Sequence, residues 1–197
     1  MSDKLGMIDG KFRMRDNATV WDDNQGAAFT AVAITGGGIS DPPFDFLVDD
    51  GAGSQGIYCY QFTNGTDETI FMSAQMSHSW KFGTNLQPHV HWMPTTTDTG
   101  FVRWQFEYTV IPYNTTMGAT TTLTSVDDAG DGTAYKHQIA SLPEIDMSGI
   151  ASVSPIILIR LMRDGNNDTY ADPAALLYVD FHYQRDDMGS AEPFVKG

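Results

Sequence analysis

The sequence predicts an all-β chain, an antiparallel β-sandwich of jelly-roll type preceded by an extended N-terminal arm. Three observations carry that prediction. Short runs rich in β-branched and aromatic residues recur along the chain, separated by clusters of Gly, Asn, Asp, Pro and Thr. No stretch of helical length places apolar residues at i, i+3, i+4 and i+7. Several runs instead alternate apolar and polar residues with a period of two, as a half-buried strand does.

Residues 1–52 read as the arm. Glycine, aspartate and proline are frequent there ("AITGGGISDPPFDFLVDDGAGSQG" at its end), and "AFTAVAI" (28–34) is its one strand-like run. Such a segment is expected to drape over its own or a neighbouring domain. Residues 53–197 form the sandwich domain, a length that one all-β unit accommodates. Its predicted strands are "GIYCYQF" (56–62), "ETIFMSAQM" (68–76), "LQPHVHWM" (86–93), "GFVRWQFEYTVIP" (100–112), "TTTLTSV" (120–126), "AYKHQIASL" (134–142), "SPIILIRLMR" (154–163) and "ALLYVDFHYQR" (175–185). "TNGTDE" and "TTTDTG" read as hairpin turns, and "DDAGDGT" and "RDGNNDTYADP" as longer acidic loops. The last is dense in oxygen ligands but lacks the spacing and final glutamate of a calcium-binding EF-hand, so it reads as a solvated loop.

Alternation assigns the faces. Val102, Trp104, Phe106, Tyr108 and Val110 point one way, with Arg103, Gln105, Glu107 and Thr109 opposite. Leu86, Pro88, Val90 and Trp92 share a face, leaving Gln87, His89 and His91 on the other. In the last strand Ala175, Leu177, Val179, Phe181 and Tyr183 alternate with Leu176, Tyr178, Asp180, His182 and Gln184. "IILIRLMR" is apolar on both sides, which calls for a cover on its outer face, from the arm or from another subunit.

Composition narrows the function. Eleven Lys and Arg against 25 Asp and Glu give a net charge of −14, which repels a phosphate backbone and an anionic bilayer alike. No nucleic-acid or membrane partner is therefore expected. The single Cys59 excludes an internal disulfide and reads as a small buried hydrophobe. "MSDKLGMIDGKFRMRDN" holds no signal-peptide core and no run spans a bilayer, so synthesis in a cytoplasm is expected.

His89 and His91 are the strongest chemical signal. Gly83, five residues and then His-x-His match the opening of a cupin metal motif, and alternate strand positions project both imidazoles to one side. His182 could add a third ligand, with Asp180 or Glu107 as carboxylate donor. Against this, Thr95 and Thr96 stand where a cupin has its glutamate, and Leu86, Val90 and Trp92 claim the interior. A second option is a symmetric ion shared by His89 and His91 of several chains on a threefold axis. The reading adopted assigns neither a metal nor any other cofactor. It places His89, His91, Arg103, Glu107, Asp180 and His182 in one polar subunit interface, provided their strands are neighbours. No phosphate loop, nucleophile elbow or Cys/His zinc spacing occurs, and Ser79 beside His78 is no triad. A carbohydrate-binding module using "DTYADP" or "TVIPYNTT" is a further alternative.

The stretches "IFMSAQMSHSWKFGTNLQPHVHW", "VRWQFEYTV" and "LLYVDFHYQRDDMGS" resemble a group of proteins of tailed bacteriophages, over most of the β region and little of the arm. Ser77 stands where that group commonly has proline. The resemblance implies a virion-associated structural protein and carries over no catalytic residue. The expected protein is thus a non-enzymatic virion component, a homotrimeric head decoration (cement) protein in contact with the major capsid protein or another virion protein. It would assemble in the host cytoplasm and be carried in the virion. A tail, fibre or adaptor part is the first alternative, and a cupin-like metalloenzyme the second.

Overall fold

The computed structural model describes residues 5–8, 11–14, 20–22, 28–29, 40–119, 122–187, 190 and 192–196, and among them every regular element is a strand. Within the N-terminal 52 residues, β1 (Leu5–Ile8) and β2 (Lys11–Met14) form an antiparallel hairpin. Next come β3 (Val20–Asp22), β4 (Ala28–Phe29) and β5 (Phe44–Val48). The remaining strands are β6 (Ile57–Phe62), β7 (Asp67–Gln75), β8 (Gln87–Pro94) and β9 (Phe101–Ile111). After them follow β10 (Thr122–Ala129), β11 (Gln138–Ser141), β12 (Ile156–Asp164) and β13 (Ala174–Arg185).

Two antiparallel sheets face each other across one core. The first has the order β10-β9-β12-β7-β4 and the second β11-β8-β13-β6-β5, with β3 paired to the end of β13. From β6 onward the chain passes from one sheet to the other at every connection except β9–β10. "TNGTDE" and "TTTDTG" are therefore arches between sheets and not the hairpin turns expected of them. A turn signal reports a local reversal but not which sheet the next strand joins.

Two short described strands of the N-terminal segment join the sheets: β3 pairs with β13 at Tyr183–Arg185, and β4 pairs with Ser73 and Met72 of β7. Part of "AFTAVAI" lies outside the described residues. The boundary at residue 52 needs correction, because β5 pairs with β6 and is the outermost strand of the second sheet. It escapes an alternation test because Phe44, Phe46 and Val48 are its exposed residues and Leu47 its buried one.

The core is aromatic and interlocked. Trp104 of β9 meets Phe62 of β6 edge-on at 5.3 Å between ring centroids and Trp92 of β8 at 6.3 Å. Phe106 meets Phe181 of β13 at 6.2 Å. All five side chains are fully enclosed, so the pairs tie the two sheets together by buried area and by ring geometry. On β12, Ile157, Ile159 and Leu161 enter this core, whereas Leu158 on the outer face is 39% exposed. That outer face is therefore partly exposed in the single chain. A shallow groove of about 520 Å³ lies there, lined by Phe71, Glu107, Met117, Leu158 and Arg160 among others.

Alternation in β13 breaks at one point. Pairing with β8 shifts register between Leu176 and Tyr178, so Ala174 and Leu176 face the core before the bulge and Val179, Phe181 and Tyr183 after it. Leu177, expected inside, is the half-buried extra residue. A bulge inserts one residue into one strand and exchanges its faces.

The loop from Asp164 to Pro173 exposes Asn166, Asn167, Thr169 and Ala171 to solvent, as expected, but turns its aspartates to the protein. Arg163, wholly buried, holds it from within. Its Nε donates to Asp168 Oδ2 at 2.7 Å, and Nη2 donates to Asp168 Oδ1 and the Tyr170 carbonyl. Nη1 donates to the carbonyls of Phe62 at 2.7 Å and Asp172 at 2.8 Å. All five N–H donors of the guanidinium are thereby used. The other carboxylates also serve the protein: Asp164 accepts from Gln105 and Asn167, and Asp172 from Thr96. Gly100 packs so closely that a Cβ there would stand 2.2 Å from the Thr169 carbonyl oxygen.

Asp127 and Asp128, expected in a loop, lie in β10. Trp92 Nε1 donates to Asp128 Oδ2 at 2.6 Å. Burial pushes the Asp128 carboxyl above its ordinary pKa, and the Trp92 hydrogen bond opposes this without cancelling it. For an acid whose folded pKa is raised, the stabilising contribution is full below the unfolded value and is lost as pH rises through the folded one. Asp128→Asn keeps an acceptor for Trp92 and removes the charge. Thermal melts should show the variant more stable than the parent near neutral pH. The advantage should vanish below the ordinary aspartate pKa of about 3.9.

Candidate functional site

The histidine pair sits on the outer face of the second sheet. Pro88, Val90, Trp92 and Pro94 of β8 are buried, and His89 and His91 between them point away from the core. Imidazoles facing inward, as a cupin site requires, are therefore absent from β8. In register, His89 stands between Ser141 of β11 and Asp180 of β13, and His91 between Ile139 and Tyr178. Residues directly opposite on neighbouring strands share a face, which brings Asp180 to the pair.

Asp180 is the centre of the cluster and is only 6% exposed. Its Oδ1 lies 3.3 Å from His89 Nδ1 and its Oδ2 3.2 Å from His91 Nε2. The second contact is a hydrogen bond, whereas Oδ1 has no hydrogen-bond partner among the described residues. The ring of His182 lies 5.9 Å from that of His89. One nitrogen from each of His89 and His91 and one oxygen of Asp180 lie within 4.8 Å of one another.

His137, just before β11, completes the group. Its Nε2 is 2.8 Å from His91 Nδ1 and its ring stacks on that of His91 at 5.0 Å and 29°. Sequence reasoning passed over it inside "AYKHQIASL", because only the pairing of β11 with β8 brings it to His91.

The single patch expected of the six residues divides in two. His89, His91, Asp180 and His182 share the outer face of the second sheet. Arg103 and Glu107 belong to β9 in the first sheet and lie on the opposite side of the sandwich. There Arg103 grips Asp127 through two hydrogen bonds of 2.7 and 2.8 Å, and Glu107 pairs with Arg160 at 2.7 Å. Strand adjacency, on which the single patch depended, is decided by topology and not by alternation.

Other candidate residues are used structurally. His78 bridges Ser190 Oγ at 2.5 Å and Ser154 Oγ at 2.6 Å. Cys59 is half-buried, and burial first, then the charge of Asp45, pushes its thiol above the ordinary pKa. A thiol held protonated in this way is a poor nucleophile.

The fold and its outward cluster define an antiparallel β-sandwich with an imidazole–carboxylate group on one outer face. No known protein family and no curated protein matches the chain. Among solved structures, dimeric latent PorU from Porphyromonas gingivalis is similar at 11% identity and a TM-score of 0.32, over 66% of this chain and 11% of that one. The infectious bursal disease virus Gx strain structure is similar at 14% identity and a TM-score of 0.36, over 95% of this chain and 37% of that one. The chain thus spans well under half of either, and at these scores the likeness carries no function across.

Proposed function

We propose that the chain is a structural component of a bacteriophage particle, and among such components a head decoration protein with a jelly-roll sandwich that works as a homotrimer. The strand order supports the jelly-roll reading, since β6-β13-β8-β11 and β7-β12-β9-β10 form two interleaved four-stranded sheets. The observation that carries the assembly role is the β5–β6 ribbon at the open edge of the second sheet. Phe44, Ile57 and Val48 are at least half exposed there, beside Phe46 and Tyr58, and the rings of Phe44, Phe46, Tyr58 and Tyr60 contact one another. A contiguous apolar patch on a strand edge that is unpaired among the described residues marks a surface made for another chain.

The role is mechanical. Protein bound across the seams of an assembled shell, and not to its separated subunits, raises the free energy of opening by mass action. The experiment compares heated particles with and without the protein. Particles lacking it should open at a lower temperature, and adding the purified chain should restore the loss. The variant Phe44→Asp/Ile57→Asp should fold, because both side chains are exposed, yet fail to restore it. Unchanged opening temperatures with and without the protein would contradict the decoration role. Finding the protein on the tail instead would favour an adaptor or fibre part.

A further inference from the structure

We infer that His89, His91 and Asp180 form a binding site for one divalent transition-metal ion of the zinc class in each chain. The inference does not depend on the virion role. Its first support is geometry. Ligand atoms about 2.0–2.2 Å from a tetrahedral zinc ion stand about 3.3–3.6 Å from one another. The two imidazole–carboxylate separations, 3.3 Å from His89 Nδ1 to Oδ1 and 3.2 Å from His91 Nε2 to Oδ2, are at that spacing, each to a different oxygen of Asp180. The three atoms lie within 4.8 Å of one another, so the widest separation needs to close by only about 1 Å, which side-chain torsions supply.

The second support is the state of Asp180. A carboxylate in a side chain 92% buried, with one oxygen lacking a hydrogen bond among the described residues, is costly unless a cation meets it. Its unpartnered Oδ1 is the atom beside His89 Nδ1.

The third support is the partner of His91. A ligating imidazole commonly donates its other N–H to an acceptor that fixes its tautomer and orientation. His91 Nδ1 lies 2.8 Å from His137 Nε2. With Nδ1–H donated to His137, the Nε2 lone pair faces the Asp180 carboxylate, and either a proton, as in the hydrogen bond, or a metal ion can stand between them. The opposite tautomer, with Nε2–H donating to Asp180, satisfies Oδ2 but leaves Oδ1 unmet.

The donor set selects the ion. Two imidazole nitrogens and one carboxylate oxygen suit Zn²⁺ or Co²⁺ and provide too few oxygens for Ca²⁺ or Mg²⁺. His137 is a positioning residue in this scheme and not a ligand.

The test uses the untagged full chain, freed of metal and titrated with Zn²⁺ alone, then with Co²⁺ alone. One equivalent should bind per chain, the melting temperature should rise, and the cobalt form should show the visible bands of a tetrahedral N/O site. His89→Ala/His91→Ala should abolish binding, and because it also takes the imidazole partners from the buried Asp180, Asp180→Asn is the second variant, which should lose zinc while keeping both rings. His137→Ala should weaken zinc about 10–100-fold without changing the stoichiometry. Absence of binding, binding unchanged in the double variant, or one ion per three chains would overturn the inference.

Discussion

Arg163→Ala is expected to destabilise the protein by about 3–5 kcal/mol, the range for breaking a buried ion pair by removing one partner. The side chain is inaccessible and supplies hydrogen bonds to Asp168 and to the carbonyls of Phe62, Tyr170 and Asp172. Removing it strands a carboxylate that is itself 2% exposed, together with three backbone acceptors. Domains of this kind are stable by only about 5–15 kcal/mol, so the loss is a large share of the whole. Arg163→Lys should fare little better, because an ammonium offers three donors where five are used. Urea unfolding of both variants, with the midpoint as readout, checks this. A midpoint within error of the parent would mean that the loop is held by other contacts.

Trp104→Ala should cost about 3–5 kcal/mol, the usual loss for emptying a large aromatic site in a packed core. The indole touches Phe62 and Trp92 across the two sheets, and the cavity left would separate them. The indole N–H of Trp104 has no hydrogen-bond partner among the described residues, so Trp104→Phe removes area but no hydrogen bond. The phenylalanine variant should therefore recover most of the stability. Trp92 provides the contrast, since its N–H donates to Asp128 and Trp92→Phe would leave that carboxylate unmet.

How far the sequence speaks for the fold depends on what each signal reports. Eight predicted runs between residues 56 and 185 match β6 to β13 to within a few residues, because period-two burial is a property of a strand and one sheet face. The outward aim of His89 and His91 follows from the same rule, with Val90 and Trp92 fixing the inner face. Three features were beyond that rule. β5 turns its aromatic residues outward, so its apolar alternation points the wrong way for a core strand. The bulge at Leu177 exchanges faces midway through β13. The separation of Arg103 and Glu107 from the histidines depends on sheet order, as does the arrival of His137 beside His91.

Arg163 carried a different kind of signal. An arginine in phase with Ile157, Ile159 and Leu161 on an inward face is a buried charge in need of partners, and the aspartate-rich loop that follows supplies one. Reading "RDGNNDTYADP" as a solvated loop overlooked that the chain supplies a cation of its own, Arg163, to Asp168.

Mass spectrometry of purified phage particles tests the proposed role most directly. A decoration protein should be found in them at a copy number comparable to that of the shell subunits and should co-purify with emptied heads. Particles free of the chain, made in cells where it is abundantly expressed, would contradict the account.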